Sequence, residues 1–211
     1  MPIFSFEREQ LVPTAWKNGG GRTREIVRLP SGSALDSFDW RASIADIEAD
    51  GPFSTFGGID RVIVLLGGAG VCLRSSDGAI DHRLDESLVP YAFAGESAIE
   101  ASLIAGTSTD FNVMTRRATT RADVRVVAAG ETLDACSAGV LFAARGTWHV
   151  RAGADTSSLR ALSTNGGVWW HGESLQWHVT PQEPVGALIA VRVLPAQLRA
   201  SSSVMESGMA K

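Results

Sequence analysis

Phe93-Ala94-Gly95-Glu96-Ser97 and Trp170-His171-Gly172-Glu173-Ser174 lie about 77 positions apart and share an identical Gly-Glu-Ser triplet. In both, an aromatic residue stands two positions before the glycine. At a similar offset, Ala69-Gly70-Val71-Cys72-Leu73-Arg74 lies on Gly146-Thr147-Trp148-His149-Val150-Arg151. Each of these segments follows an apolar run, Ile63 to Leu66 in one and Leu141 to Ala144 in the other. One offset kept across two separate segments is the mark of an internal duplication. Each half therefore reads as an apolar strand, a glycine-bearing turn and a second strand, then a loop and a Gly-Glu-Ser turn into another strand. Short, evenly spaced strands of this kind suit a jelly roll or small barrel, which closes or covers its edges. Two such barrels in tandem are expected, with a single large sandwich and coincidental turn similarity as the alternative. The boundary is expected between residues 118 and 119, near the stretch Thr119 to Asp123. That makes 1–118 the first half, 119–196 the second, and 197–211 a disordered, serine-bearing tail.

Composition agrees with an all-β reading. The chain has 211 residues, 22 glycines and 8 prolines, and is 45% hydrophobic. Its Val, Ile, Thr, Phe and Trp recur in short runs, as strands joined by tight turns require. No long stretch keeps a 3.6-residue apolar period. The net charge of −4 offers no basic face for nucleic acid or for acidic lipid headgroups. Cys72 and Cys136 lack CxxC spacing and read as reduced, buried thiols. Glu7, Arg8 and Glu9 leave no signal-peptide core at the N-terminus. The longest apolar run, Val62 to Leu66, is too short to span a bilayer. A cytoplasmic protein is expected, whose partner is a small molecule or a second copy of itself.

Three polar segments stand out in the first half. The first is Trp16-Lys17-Asn18-Gly19-Gly20-Gly21-Arg22-Thr23-Arg24-Glu25. Its glycines permit positive φ and a close backbone approach, so it fits either a plain hairpin turn or an anion-cradling nest. It has neither the P-loop nor the Rossmann glycine spacing. The second holds Phe38-Asp39-Trp40-Arg41-Ala42-Ser43-Ile44-Ala45-Asp46, then Gly51-Pro52-Phe53-Ser54 and Ile59-Asp60-Arg61. Period-2 alternation sets Trp40, Ala42 and Ile44 on one face and Arg41 and Ser43 on the other. Arg41 beside a hydroxyl could take a carboxylate through charge-assisted hydrogen bonds, or it could pair with Asp39 or Asp60 on a surface strand. The third is Asp110-Phe111-Asn112-Val113-Met114-Thr115-Arg116-Arg117, with Asn112, Met114 and Arg116 on one face. At an offset of about 77 these three become Ile189, Val191 and Val193, all apolar. A polar pocket is therefore expected in the first barrel and a hydrocarbon core in the second, since buried unpaired polar groups need partners or a ligand. The candidate ligand contacts are Trp16, Lys17, Asn18, Gly19, Gly20 and Arg24 from the first segment. The second supplies Arg41, Ser43, Phe53, Ser54 and Arg61, and the third Asn112, Met114 and Arg116.

These motifs, in this order from Trp16 to Arg117, resemble the signatures of the HutD/Ves family. The resemblance covers over half the chain and is weak in the second half. It implies a bicupin-like fold, that is, two tandem cupin-like barrels, often dimeric, associated with bacterial histidine utilisation. It also implies a pocket for a small anionic molecule such as urocanate or a formylated glutamate derivative. No catalytic residue carries over, because the family has no agreed reaction, and no cofactor is implied. Many cupins hold a metal through His-x-His, a nearby Glu and a later His, but no His-x-His pair occurs here. The first half has His82 alone; in the second, His149, His171 and His178 could in principle meet inside a barrel with Glu173. No Gly-x-Ser-x-Gly elbow is present. The expected function is a small-carboxylate-binding, regulatory protein without a metal. The alternatives are a cupin-type enzyme, isomerase or hydrolase, on a small carboxylate, and a stress-related interaction protein without a ligand.

Overall fold

The computed structural model describes residues 3–154 and 156–196. Strands dominate, with two single-turn 3-10 segments, Arg8–Gln10 and Thr156–Ser158, between them. The first half carries β1 (Ile3–Glu7), β2 (Pro13–Ala15), β3 (Gly21–Leu29), β4 (Trp40–Ile47), β5 (Gly51–Pro52), β6 (Ile59–Gly67), β7 (Val71–Ser75), β8 (Asp81–Leu84), β9 (Pro90–Ala94), β10 (Ile99–Leu103) and β11 (Ser108–Arg116). The second carries β12 (Thr120–Val127), β13 (Glu131–Arg145), β14 (Trp148–Ala152), β15 (Arg160–Leu162), β16 (Gly166–Pro181) and β17 (Ala187–Pro195).

A six-stranded sheet in the order β2-β3-β4-β11-β6-β9 and a four-stranded sheet, β5-β10-β7-β8, make up the first jelly roll. The second half is one continuous sheet, β12-β17-β13-β16-β14-β15, with β1 added to β16. Its long strands β13 and β16 bend through register shifts between Leu133 and Cys136 and between Cys136 and Ala138, as bulges bend strands elsewhere. Neither half is a fully closed barrel, but the all-β, tandem cupin-like architecture is plain.

Alternation explains the three apolar layers. Ile47, Ile63, Leu65, Leu73 and Ile99 fill the first jelly roll. Leu141, Trp148, Trp170, Trp177 and Leu188 fill the second. Between them a middle layer joins the halves: Trp40, Ala42, Ile44, Phe111 and Val113 from one side, Phe6, Phe142, Ile189, Val191 and Val193 from the other. The strand β1, early in the chain, reaches this layer through Phe6 by pairing with β16. The expected tail, 197–211, lies outside the described residues. Cys136 is buried and Cys72 only half-buried; both are free thiols.

The repeat holds its place in space but not its turn. β6 and β7 on one side, and β13 and β14 on the other, carry the two matched apolar runs and the strands after them. Gly95 closes a turn after β9, whereas Gly172 lies inside β16, at a φ of +90° beside the bulged stretch. One bent strand thus replaces β9, its turn and β10. The comparison of Asn112, Met114 and Arg116 with Ile189, Val191 and Val193 is corrected by one residue. Asn112 lies opposite Ile63 and faces the first core, and in the second half Ala190 lies opposite Leu141. Ile189 and its alternate neighbours point instead into the middle layer, because a slip of one position turns a strand over. The inward face of β17 is still apolar, through Leu188 and Ala190.

Candidate functional site

The polar residues of the first half meet on the inner face of the six-stranded sheet. β11 sets Asn112 between Ser43 of β4 and Ile63 of β6, Met114 between Arg41 and Arg61, and Asp110 between Ala45 and Leu65. β3 adds Glu25 beside Ser43 and Arg28 beside Arg41. Residues opposite each other in a ladder share a face, so four strands far apart in sequence build one polar patch above an apolar core.

Arg61 is its centre. It is 9% exposed, with its guanidinium carbon 4.9 Å from the Phe93 ring centroid, 5.3 Å from that of Phe53 and 5.9 Å from that of Phe56. Its Nη2 donates to Asn112 Oδ1 at 3.4 Å and its Nη1 to the Ser54 carbonyl at 3.5 Å, both long. Among the described residues its buried Nε has no partner. Burial pushes its pKa down to about 10, with the Arg41 charge adding to the effect and Asp110 opposing it. Arg61 therefore stays cationic at neutral pH.

Around it, Arg41 Nε donates to Glu25 Oε2 at 2.8 Å and Arg41 Nη1 reaches Met114 Sδ at 3.8 Å. Arg28 Nε lies 3.4 Å from Glu25 Oε1. Asp110, 2% exposed, has its pKa raised to about 8, chiefly by burial and further by Asp46, against the pull of Arg61 and a hydrogen bond from Asn112. At pH 7 Asp110 is mostly neutral, so three guanidinium groups face one other carboxylate, Glu25. The patch carries excess positive charge, and at its buried centre, Arg61, water is largely excluded, so a small anion gains most there. Phe56 also lines a surface cavity of about 370 Å³ with Leu35, Asp36 and Thr55.

A raised acid pKa has a consequence for stability. Between about pH 4 and about pH 8 the folded chain holds a proton on Asp110 that the unfolded chain releases. The stabilisation from the neutral acid is complete below the unfolded pKa of 3.8 and is lost progressively as pH rises toward 8, by at most about 1.4 kcal/mol per pH unit. Asp110→Asn should flatten this fall and be the more stable chain at pH 8, with the advantage vanishing near pH 4. Urea unfolding at several pH values is the measurement; parallel profiles for the two proteins would refute it.

The remaining expected contacts divide. Phe53 and Ser54 lie over Arg61, as described. Trp16 packs edge-on to Phe53 at 6.3 Å and donates through Nε1 to Thr23 Oγ1 at 2.7 Å. Of the two readings of the glycine run, the hairpin is what forms. Asn18 Oδ1 accepts from the Gly20 amide at 3.1 Å, Gly19 takes a φ of +73°, and the turn links β2 to β3. A Cβ on Gly21 would lie 2.2 Å from the Asp46 carbonyl oxygen, so this close approach requires glycine. Lys17, Asn18 and Gly19 are exposed at the turn and Gly20 is buried, so none of the four joins the inner patch. Arg24 is registered with Ile44, on the opposite face from Arg41 and Ser43. There it binds Asp46 at 2.5 Å, together with Arg8 at 2.9 Å and Thr109 at 2.9 Å. Burial works against the Asp46 charge, but these partners hold its pKa below the usual value. Arg116 donates to the carbonyls of Phe38 at 2.9 Å and Asp36 at 3.0 Å and so pins that loop. Glu25, Asp110, Phe56 and Phe93 were not among the expected contacts. Asp110 had a local signal, being two positions from Asn112 on the same strand face, whereas the other three join only through strand pairing and loop placement.

The second-half histidines do not meet inside the barrel. His149 and His178 alternate with the buried Trp148, Val150, Trp177 and Val179, and so point away from the core. His178 Nδ1 pairs with Thr132 Oγ1 at 2.8 Å. His171 stacks 5.8 Å from Trp169. Among the described residues no three His, Cys, Asp or Glu side chains are grouped to hold a metal ion, and no helix is long and apolar enough to cross a membrane.

Two jelly rolls packed back to back, the first with an arginine-bearing patch beside its apolar core and the second with an apolar interior, define a bicupin-like protein. A Bacillus subtilis oxalate decarboxylase variant shares this fold alone, with a TM-score of 0.60 at 8% identity over 90% of this chain and 78% of that one. The chain belongs to the HutD family, whose model matches residues 8–187. It is 37% identical to Protein Ves of Escherichia fergusonii over 167 residues, covering 79% of this chain and 82% of the relative. HutD from Pseudomonas fluorescens SBW25 superposes with a TM-score of 0.77 at 29% identity, over 92% of this chain and 99% of that one.

Proposed function

We propose that this HutD-family chain is a small-carboxylate-binding, regulatory protein of the cytoplasm, linked to histidine and urocanate catabolism. The ligand sits on the inner face of the first jelly roll. One observation carries the reading: Arg61 is a buried cation with an unpartnered Nε and two long hydrogen bonds, ringed by phenylalanines. A buried charge left so incompletely paired is costly, and a carboxylate would satisfy it through two parallel N–H donors. Arg41, 14% exposed and on the same face, supplies a second donor. The chain acts as a homodimer; support comes from β1, which among the described residues pairs with β16 alone and leaves Phe4 40% exposed.

Titration calorimetry with formate, urocanate and formylglutamate tests the reading, formate because the Pseudomonas fluorescens structure is of a formate condition. A charged hydrogen bond contributes about 1.5–3 kcal/mol, so Arg41→Ala should weaken binding about 10- to 100-fold. Arg116→Ala, which removes the anchor of the 36–38 loop, should leave affinity unchanged. Equal affinity of wild type and Arg41→Ala, or no binding of any of the three acids, would refute the proposal.

A further inference from the structure

Asp110 is a buried acid in direct line with the candidate carboxylate site. It shares the inner face of β11 with Asn112, and the Asn112 side chain bridges it to Arg61. The amide nitrogen of Asn112 donates to Asp110 Oδ1 while its amide oxygen accepts from Arg61 Nη2. This polarity fixes the orientation of the amide and links the state of the acid to the guanidinium. Few other charges face Asp110. β6 brings Arg61, β4 brings Arg41 on the inner face and Asp46 on the outer one, and β3 brings Glu25 and Arg28. From the four-stranded sheet opposite, the core residues Val71, Leu73, Ile99 and Ala101 are uncharged, and the titratable group on that face is His82, registered with Leu73 and stacked on Tyr91.

We propose that Asp110 is a protonation gate for the first-barrel site: as a neutral acid it leaves Arg61 to an external carboxylate, and as a carboxylate it serves Arg61 itself and excludes the anion. The inference rests on the carboxylate reading of the same barrel. Two anions beside one buried guanidinium repel each other, so only one is held at a time. The linked equilibrium balances simply: ionised Asp110, one solvent proton and one ligand anion give neutral Asp110 with the anion bound. Anion binding is then accompanied by proton uptake wherever the free protein has lost the Asp110 proton. With the free pKa near 8, that uptake begins close to neutral pH. Asp110 is thus a positioning and selecting residue rather than a direct ligand contact, and the site favours small monoanions whose single charge replaces its own.

The test titrates formate into wild type and Asp110→Asn between about pH 6 and about pH 9, each in two buffers of different ionisation enthalpy. The upper limit stays below the range in which Arg61, with its pKa near 10, loses its charge. Wild-type affinity should be flat at the acid end and fall by up to about tenfold per pH unit above pH 8, with proton uptake rising from near zero toward one per anion. Asp110→Asn should bind with no proton uptake and with a flat pH profile. Formate binding to wild type without proton uptake at the alkaline end would overturn the gate and leave the site itself standing. Failure of formate to bind wild type at any pH would overturn both. The proton count on wild type decides the matter even if Asp110→Asn does not fold.

Discussion

Phe142→Ala is expected to lower the unfolding free energy by about 3–5 kcal/mol. Phe142 is fully buried in the middle layer. Its ring lies 5.5 Å from that of Phe111 on β11 and 6.2 Å from that of Phe6 on β1. One side chain therefore touches the first jelly roll, the second, and the early strand that pairs with β16. Truncation removes its own burial and leaves a cavity that three separately anchored strands cannot collapse to fill. For a chain of this size each kcal/mol moves the melting midpoint by about 2–4 °C, so a drop of about 6–20 °C is expected in calorimetry. Leu159→Ala, at a position 53% exposed, serves as the control and should stay within about 0.5 kcal/mol of wild type. A Phe142→Ala loss no larger than the control's would mean that the halves do not depend on this layer.

Arg61→Met should separate binding from stability. Removing the guanidinium takes away both donors offered to a carboxylate, and affinity for formate should fall by about 100-fold or more. Folding should respond in the opposite sense. The methionine thioether keeps favourable contact with Phe53, Phe56 and Phe93, and the desolvation cost of a buried cation disappears. Asp110, already mostly neutral at pH 7, is not left as an uncompensated charge, which is the usual penalty for deleting one partner of a buried pair. The unfolding free energy should be unchanged or higher, by up to about 4 kcal/mol. Arg61→Lys should lose most of the binding as well, because an ammonium lacks the planar fork that meets a carboxylate with two bonds. Denaturant unfolding beside calorimetric titration reads both effects. A variant that binds as wild type does, or one destabilised by several kcal/mol, would contradict this account of Arg61.

Much of this was legible along the chain, and it was the part governed by local periodicity. Alternation by itself assigned Trp40, Ala42 and Ile44 to one face of β4 and Arg41 and Ser43 to the other, and it set Asn112 and Met114 together on β11. The two-residue period is a property of the extended backbone, so each strand's faces follow from its own residues. The duplication likewise located β6–β7 and β13–β14 in matching places.

Tertiary structure decided what depends on partners. Whether Arg24 or Glu25 joins Arg41 is set by the ladder between β3 and β4, in which a bulge between Glu25 and Val27 shifts the register. That Gly172 lies within a bent strand rather than a turn follows from the pairing of His171 and Leu175, on either side of it, with β13. The pairing of β1 with β16 joins residues such as Ile3 and Trp170, far apart in sequence, through hydrogen bonds that no local pattern encodes. Asp110 looks like any strand aspartate until the apolar sheet opposite removes its water, raises its pKa and leaves Arg61 the dominant charge beside it. Strand faces arise from the geometry of one chain segment, whereas register, burial and the charge state of a buried acid arise from segments distant in sequence being packed together.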